Sequence, residues 1–157
     1  MVCPAGFEHK GVDDTQVSQC NSIVKFYKNY GENDDEPVST YTAVFSGSGT
    51  GDTYFVPANE FPTATTARTG YTLSGWYQVA NPGTGDAAVT SETALAGDKN
   101  LYANWTPITY TVRFDGNGAD NASADPAPML PEPFTYDIVD QTLTQNAFTR
   151  NGYGFKG

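Results

Sequence analysis

The sequence predicts a mainly β chain built from two related small units, the second of them truncated. Three observations predict it. Thr, Tyr, Val and Phe abound while Leu is scarce, and β-branched and aromatic side chains suit a pleated, half-buried surface. Short alternating runs are separated by clusters of Gly, Pro, Asn and Asp, the punctuation of strands and turns. The string Ala67-Arg68-Thr69-Gly70-Tyr71-Thr72-Leu73-Ser74-Gly75-Trp76-Tyr77 recurs as Thr149-Arg150-Asn151-Gly152-Tyr153-Gly154-Phe155-Lys156-Gly157, and self-similarity marks a repeat architecture. The second copy stops one residue before a tryptophan is due, so its unit is expected to be incomplete.

Composition narrows the function classes. In 157 residues, ten Tyr, nine Phe and two Trp supply large apolar surfaces for two small cores. No run approaches the roughly 20 apolar residues of a membrane span. The N-terminus lacks a charged head followed by an apolar run, so no signal peptide is read there; if the protein is exported, its signal is expected upstream of this stretch. The net charge of −10 opposes nucleic acid, whose phosphates call for Lys and Arg, and adsorption to anionic membranes. Neither nucleic-acid binding nor direct membrane insertion is expected. Solubility, or a neutral or cationic partner, accounts for the charge.

Residues 1–21 differ in character from the rest. Cys3-Pro4-Ala5-Gly6-Phe7 leads to Cys20, and this stretch holds both cysteines and the one histidine, His9, without apolar periodicity. Two readings stand. Cys3 and Cys20 pair at the end of a small disulfide-rich module, closing a loop worth about 3 kcal/mol, or they are free thiols in a tail. A metal site needs more Cys or His than this chain owns, so neither metal nor cofactor is expected.

Unit one is expected over residues 22–106. Ser22-Ile23-Val24-Lys25-Phe26-Tyr27-Lys28-Asn29-Tyr30 reads as its first strand. The acidic run at 31–37 lacks the alternating ligands and closing Glu of an EF-hand loop, which makes it a solvated turn. A second strand is expected over 38–45. The glycine-rich loop at 46–52 is not followed by the Lys-Ser or Lys-Thr of a phosphate cradle. Residues 53–56 give a short strand, and 57–67 an irregular or helical segment that would make the class α+β. Residues 71–79 resume as a strand, 81–86 form a turn, and Asp98-Lys99-Asn100-Leu101-Tyr102-Ala103-Asn104-Trp105 closes the unit with Leu101, Ala103 and Trp105 on one face.

Unit two is expected over 107–157. Ile108-Thr109-Tyr110-Thr111-Val112-Arg113-Phe114 is an alternating strand, and Asp115-Gly116-Asn117-Gly118 a turn that permits positive φ. A loop is expected over 119–133, after which 134–139 and 141–148 lead into the second copy of the motif. Val24 leads Gly70 by six residues more than Val112 leads Gly152, a deletion of the kind surface loops tolerate.

These residues resemble the Listeria–Bacteroides repeat, the B-repeat type of internalin B and other bacterial surface proteins. Tyr110-Thr111-Val112-Arg113-Phe114-Asp115-Gly116-Asn117-Gly118 and the string from Phe148 to Gly157 carry the resemblance in unit two. The string from Ala67 to Tyr77 and the closing Leu101-Tyr102-Ala103-Asn104-Trp105 carry it in unit one. The motif positions are Arg68, Gly70, Tyr71, Leu73, Gly75, Trp76 and Trp105, with Phe114, Arg150, Gly152, Tyr153 and Phe155. The resemblance implies tandem β-grasp-like, ubiquitin-like units used in extracellular arrays, and it implies no catalytic residues. Unit one carries a longer insert than a typical copy, and unit two lacks the final tryptophan-bearing strands.

A nucleophile–histidine arrangement would have to be built from His9 in the Cys-bracketed segment, and paired carboxylates discriminate nothing in an acidic chain. An enzyme is therefore not expected. Trp76 and Trp105 have two readings. They pack the core of unit one, or Trp76 forms an exposed platform for sugar rings with Tyr71, Tyr77 and Tyr102 beside it. Arg68 and Arg150 either pair with a local carboxylate or contact a ligand. The sequence thus predicts a non-catalytic region of a bacterial cell-surface or secreted protein. It would space or present an adhesive region through contacts with a host or bacterial surface protein, because repeats that contact mainly their neighbours vary in length freely. A carbohydrate-binding module is the alternative.

Overall fold

A computed structural model describes residues 8–12, 18–31, 35–46, 53–63 and 67–157. Cys3, and with it the Cys3–Cys20 pairing, lies outside the described residues, as do most of the glycine-rich loop expected at 46–52 and the middle of the acidic run. The chain divides into two compact units, Met1–Thr106 and Pro107–Gly157. It is mainly β, as its composition predicts.

Unit one is a five-stranded mixed sheet of β1 (Glu8–Val12), β2 (Ser18–Tyr27), β3 (Ser39–Ser46), β4 (Tyr71–Tyr77) and β5 (Lys99–Pro107). Its axis is β2. One edge of β2 pairs antiparallel with β3, from Gln19↔Ser46 to Phe26↔Ser39. The other edge is shared. β1 lies antiparallel to its first half (Glu8↔Asn21, Val12↔Ser18), and β5 runs parallel to its last half (Val24↔Lys99 to Tyr27↔Tyr102). Between these two partners the Ile23 N–H donates to Asp98 Oδ1 at 2.8 Å, so a side chain completes the edge where backbone pairing is interrupted. β4 lies on the far side of β5. The segment before Asn21 shows no strand pattern in sequence, and its β1 forms by pairing with a strong neighbour.

The core follows from the period of two along each strand. Ser22, Val24 and Phe26 of β2 are fully buried, as are Leu101 and Ala103 of β5. Trp105 packs against the same cluster, which puts the three expected residues of β5 on one face. The ring of Phe26 is the hub, meeting Trp76 edge-on at 5.0 Å and Phe61 at 5.7 Å. Such pairs contribute about 1 kcal/mol beyond the area they bury.

No long helix covers this face among the described residues. Residues 57–67 contain a 3₁₀ turn, Ala58–Glu60, so the α+β option gives way to mainly β. The lid is irregular chain: Tyr54, Val56, Val89 and Leu95 are buried against the sheet. Tyr54 and Leu95 exchange two backbone hydrogen bonds of 2.8 and 2.9 Å, and the Tyr54 hydroxyl donates to Gly97 O at 2.8 Å. The expected strand at 53–56 is thereby a single bridge.

Unit two has two short strands, β6 (Thr109–Val112) and β7 (Glu132–Thr135), paired antiparallel with Tyr110 opposite Phe134. The strand expected at 108–114 is shorter than its alternation suggests, and Phe114 lies beyond its end. The segment 141–148 is not a strand. Its contacts come instead from polar side chains that imitate a backbone partner. The Gln141 amide donates to Thr135 O and Ile138 O and accepts from Thr135 N. Asn121 donates to Ala147 O and accepts from Thr149 N. The turn at 115–118 forms as its residues require: Asn117 (φ 45) and Gly118 (φ 80) are both left-handed, and Ala119 N donates to Gly116 O at 2.9 Å, the pattern of a type I′ turn.

Candidate functional site

The repeated motif forms the same local object in both units. In unit one Tyr71 N donates to Arg68 O at 3.1 Å, and in unit two Tyr153 N donates to Arg150 O at 3.1 Å. Gly70 and Gly152 both sit at φ 79, the third position of a turn that demands positive φ there. The guanidinium of Arg68 lies 3.6 Å from the ring centre of Tyr71, and that of Arg150 lies 4.3 Å from Tyr153. Arginine in this motif therefore stacks on the tyrosine three residues later, where the sequence left a carboxylate or a ligand as its partner.

The two copies diverge beyond the turn. Arg68 also faces Tyr30 at 5.4 Å, and Tyr30 meets the edge of Trp105 at 5.3 Å while its hydroxyl donates to Ala67 O at 2.6 Å. Trp105 Nε1 donates to Lys28 O at 2.7 Å. Asn29, at φ 57, donates to Ala80 O at 2.6 Å and to Ala103 O at 3.0 Å. Sequence reasoning missed Asn29 and Tyr30. Their signal was an Asn, tolerant of left-handed φ, just past the last alternating residue of β2.

Gly75 shows why Leu73 and Trp76 can share one face. Strict alternation would send them to opposite faces, yet Leu73 packs on the core and Trp76 is 4% exposed within it. Gly75 lies at φ 153, a conformation that side chains rarely adopt, and the burial pattern of the strand changes phase there. A Cβ at Gly75 would lie 3.3 Å from Ala88 Cβ and 3.4 Å from the Tyr77 ring. Val89 N donates to Trp76 O at 2.7 Å, which holds the covering loop on the edge of β4.

Trp76 is thus placed in the core of unit one, the first of its two readings. Tyr102 is different. It is half-buried on the outward side of β5 and stacks on Tyr27, its register partner, at 5.4 Å. Tyr77 is half-buried against Gly75. An open groove of 360 Å³ beside Trp76 is lined by Phe61, Leu73, Gly75 and Val89. In unit two Phe114 is half-buried, while Tyr153 and Phe155 are exposed. Burial pushes the Tyr54 hydroxyl up to about 12, with the charges of Asp98 and Tyr41 adding to the effect. No helix among the described residues is long and apolar enough to cross a membrane.

A small mixed sheet around an aromatic hub, with one surface turn occurring twice in the chain, defines a repeat module. The chain belongs to the Listeria-Bacteroides repeat domain family, whose sequence profile matches residues 23–104. It is 36% identical over 121 residues to Internalin H of Listeria monocytogenes, covering 74% of this chain and 20% of that protein. It is 35% identical over 97 residues to an Evansella cellulosilytica protein described as a Gly-rich membrane protein, covering 58% of this chain and 11% of the relative. A second protein of that organism, described as a membrane protein, is 30% identical over 124 residues, 76% of this chain and 18% of its own length. The chain therefore spans a fifth or less of these relatives. No solved structure matches it.

Proposed function

We propose that this chain is a non-catalytic spacer and presentation segment of a bacterial cell-surface protein, working outside the cell through contacts with host or bacterial surface proteins. Family membership and relatives named as an internalin and as membrane proteins support this reading. One observation carries it furthest. The first and last strands of the family-matched region, β2 and β5, are adjacent and parallel. A chain that enters along one and leaves along the other must enter and exit at opposite ends of the sheet. Each such unit adds its length to the chain instead of doubling it back. The strand order β3-β2-β5-β4 around that parallel pair also supports a β-grasp-like description of unit one.

The test is small-angle scattering on the chain and on a form lengthened by another copy of residues 22–106. Nine residues of β5 at about 3.3 Å each span about 30 Å, so the maximum dimension should grow by about that much. An unchanged maximum dimension would remove the spacer reading. The glycan-binding alternative rests on the outward Tyr27–Tyr102 stack. It predicts glycan-array binding that is lost in a folded Tyr102→Ala protein.

A further inference from the structure

The ties between β2 and β5 lie along one line, and they join the two strands through which tension along the chain would pass. We infer that unit one is a mechanical clamp, a function that rests on the spacer reading and adds resistance to stretching. Four register pairs, Val24↔Lys99 through Tyr27↔Tyr102, connect the strands in parallel. Asp98 extends the line upstream by accepting from Ile23 N. Downstream, Trp105 Nε1 reaches Lys28 O and Asn29 Nδ2 reaches Ala103 O. The Tyr27–Tyr102 stack bridges the outward face, and Phe26 and Leu101 are fully buried on the inward face.

The direction of pull decides how these ties are loaded. Because the strands are parallel, tension on the start of β2 and the end of β5 drives them past each other, and the ties along the line share the load. Pulling on neighbouring ends of the same two strands would open them one pair at a time. β1 differs: it is antiparallel to β2, so an outward pull on Glu8 peels it bond by bond and hands the load to Ser18. The slanted, evenly spaced bonds of a parallel pair then resist as a group. Three side-chain-to-backbone bonds, made by Asp98, Asn29 and Trp105, add to the backbone pairing at this junction.

Single-molecule force spectroscopy on the full chain tests the clamp. In one arrangement the handles are ligated to the two termini. In the other, one handle is on a clickable amino acid at exposed Glu36, beyond the end of β2, and the second remains at the C-terminus. Unit two lies in series in both arrangements, so its extension cancels from the comparison. At equal loading rate the end-to-end arrangement should need at least about twice the unfolding force, because parallel-strand bonds then break together and not in turn. Equal forces, or a lower force end-to-end, would overturn the clamp and leave the scattering result for the spacer untouched. A high end-to-end force with no gain in length on lengthening would keep the clamp and remove the spacer.

Discussion

Tyr71 and Leu73 in unit one have counterparts in unit two, Tyr153 and Phe155, and the two pairs share a turn but not a fate. The turn is the same object twice, with glycine at φ 79 and the same 3.1 Å closing bond. In unit one the residues after it enter β4, where Leu73 packs on the core cluster and Tyr71 is half-buried. In unit two Tyr153 and Phe155 are 70% and 72% exposed. The turn is thus a local property of Arg-x-Gly-Tyr, while burial of the residues after it depends on a sheet to receive them. Phe26 and Phe114 make the same point: one is the fully buried hub of a cluster, the other is half-buried past the end of a four-residue strand.

The strongest way to break this comparison is to truncate the two phenylalanines. Phe26→Ala should cost about 4 kcal/mol, the range for emptying an aromatic site in a packed core. Phe114→Ala should cost about 1 kcal/mol, and urea titration followed by tryptophan fluorescence and circular dichroism would separate them. Similar costs would mean that unit two has a core as cooperative as that of unit one.

Gly75→Ala probes the phase change that lets Leu73 and Trp76 face inward. It should cost about 2–3 kcal/mol, because the residue needs a φ that side chains rarely adopt and its Cβ would press on Ala88 and Tyr77. Thermal melting reads the loss, and a melt like that of the parent would show that β4 can turn its face without glycine.

Tyr54 gives a pH signature to unit one. Its hydroxyl is raised from 10.0 to about 12 by burial first, then by Asp98 and Tyr41. The unfolded chain therefore loses this proton at lower pH than the folded unit does. The stabilisation is fully present below pH 10 and is lost as pH rises from about 10 to about 12, by an amount on the order of 3 kcal/mol. Unfolding titrations at stepped pH should show this slope, and Tyr54→Phe should flatten it.

The smallest effect sharpens the comparison most. Gly70→Ala and Gly152→Ala should each cost about 1 kcal/mol of local strain, since both residues are left-handed and a Cβ at Gly152 meets nothing within 4 Å. Hydrogen exchange at Tyr71 and Tyr153 N–H reads it directly. In unit one the destabilisation should spread to other amides of the sheet; in unit two it should stay within the turn.

Much of this architecture was legible in the sequence. The alternation over 22–30, 38–45, 71–79 and 98–105 places β2 to β5 within a few residues, because each strand buries one face and period two is then unavoidable. Asn117-Gly118 and the paired glycines 70 and 152 announce turns that few other residues could make. What could not be read was context. β1 has no pattern of its own, the 53–63 and 86–98 segments carry isolated apolar residues whose role is to cover a sheet, and Arg68 finds Tyr71 and Tyr30 in place of an acid.

By itself, then, the sequence determined β2 to β5, the repeat, the positive-φ turns at Gly70, Asn117-Gly118 and Gly152, and the family, since these depend on residues close together along the chain. Only the tertiary structure decided that β2 and β5 lie side by side and parallel, that Trp76 faces inward through a phase change at Gly75, and that the outward aromatics are Tyr27 and Tyr102. Those outcomes join Val24 to Lys99 and Lys28 to Trp105. Pairings across such separations are chosen by which surfaces can be buried together, and no local pattern records that choice.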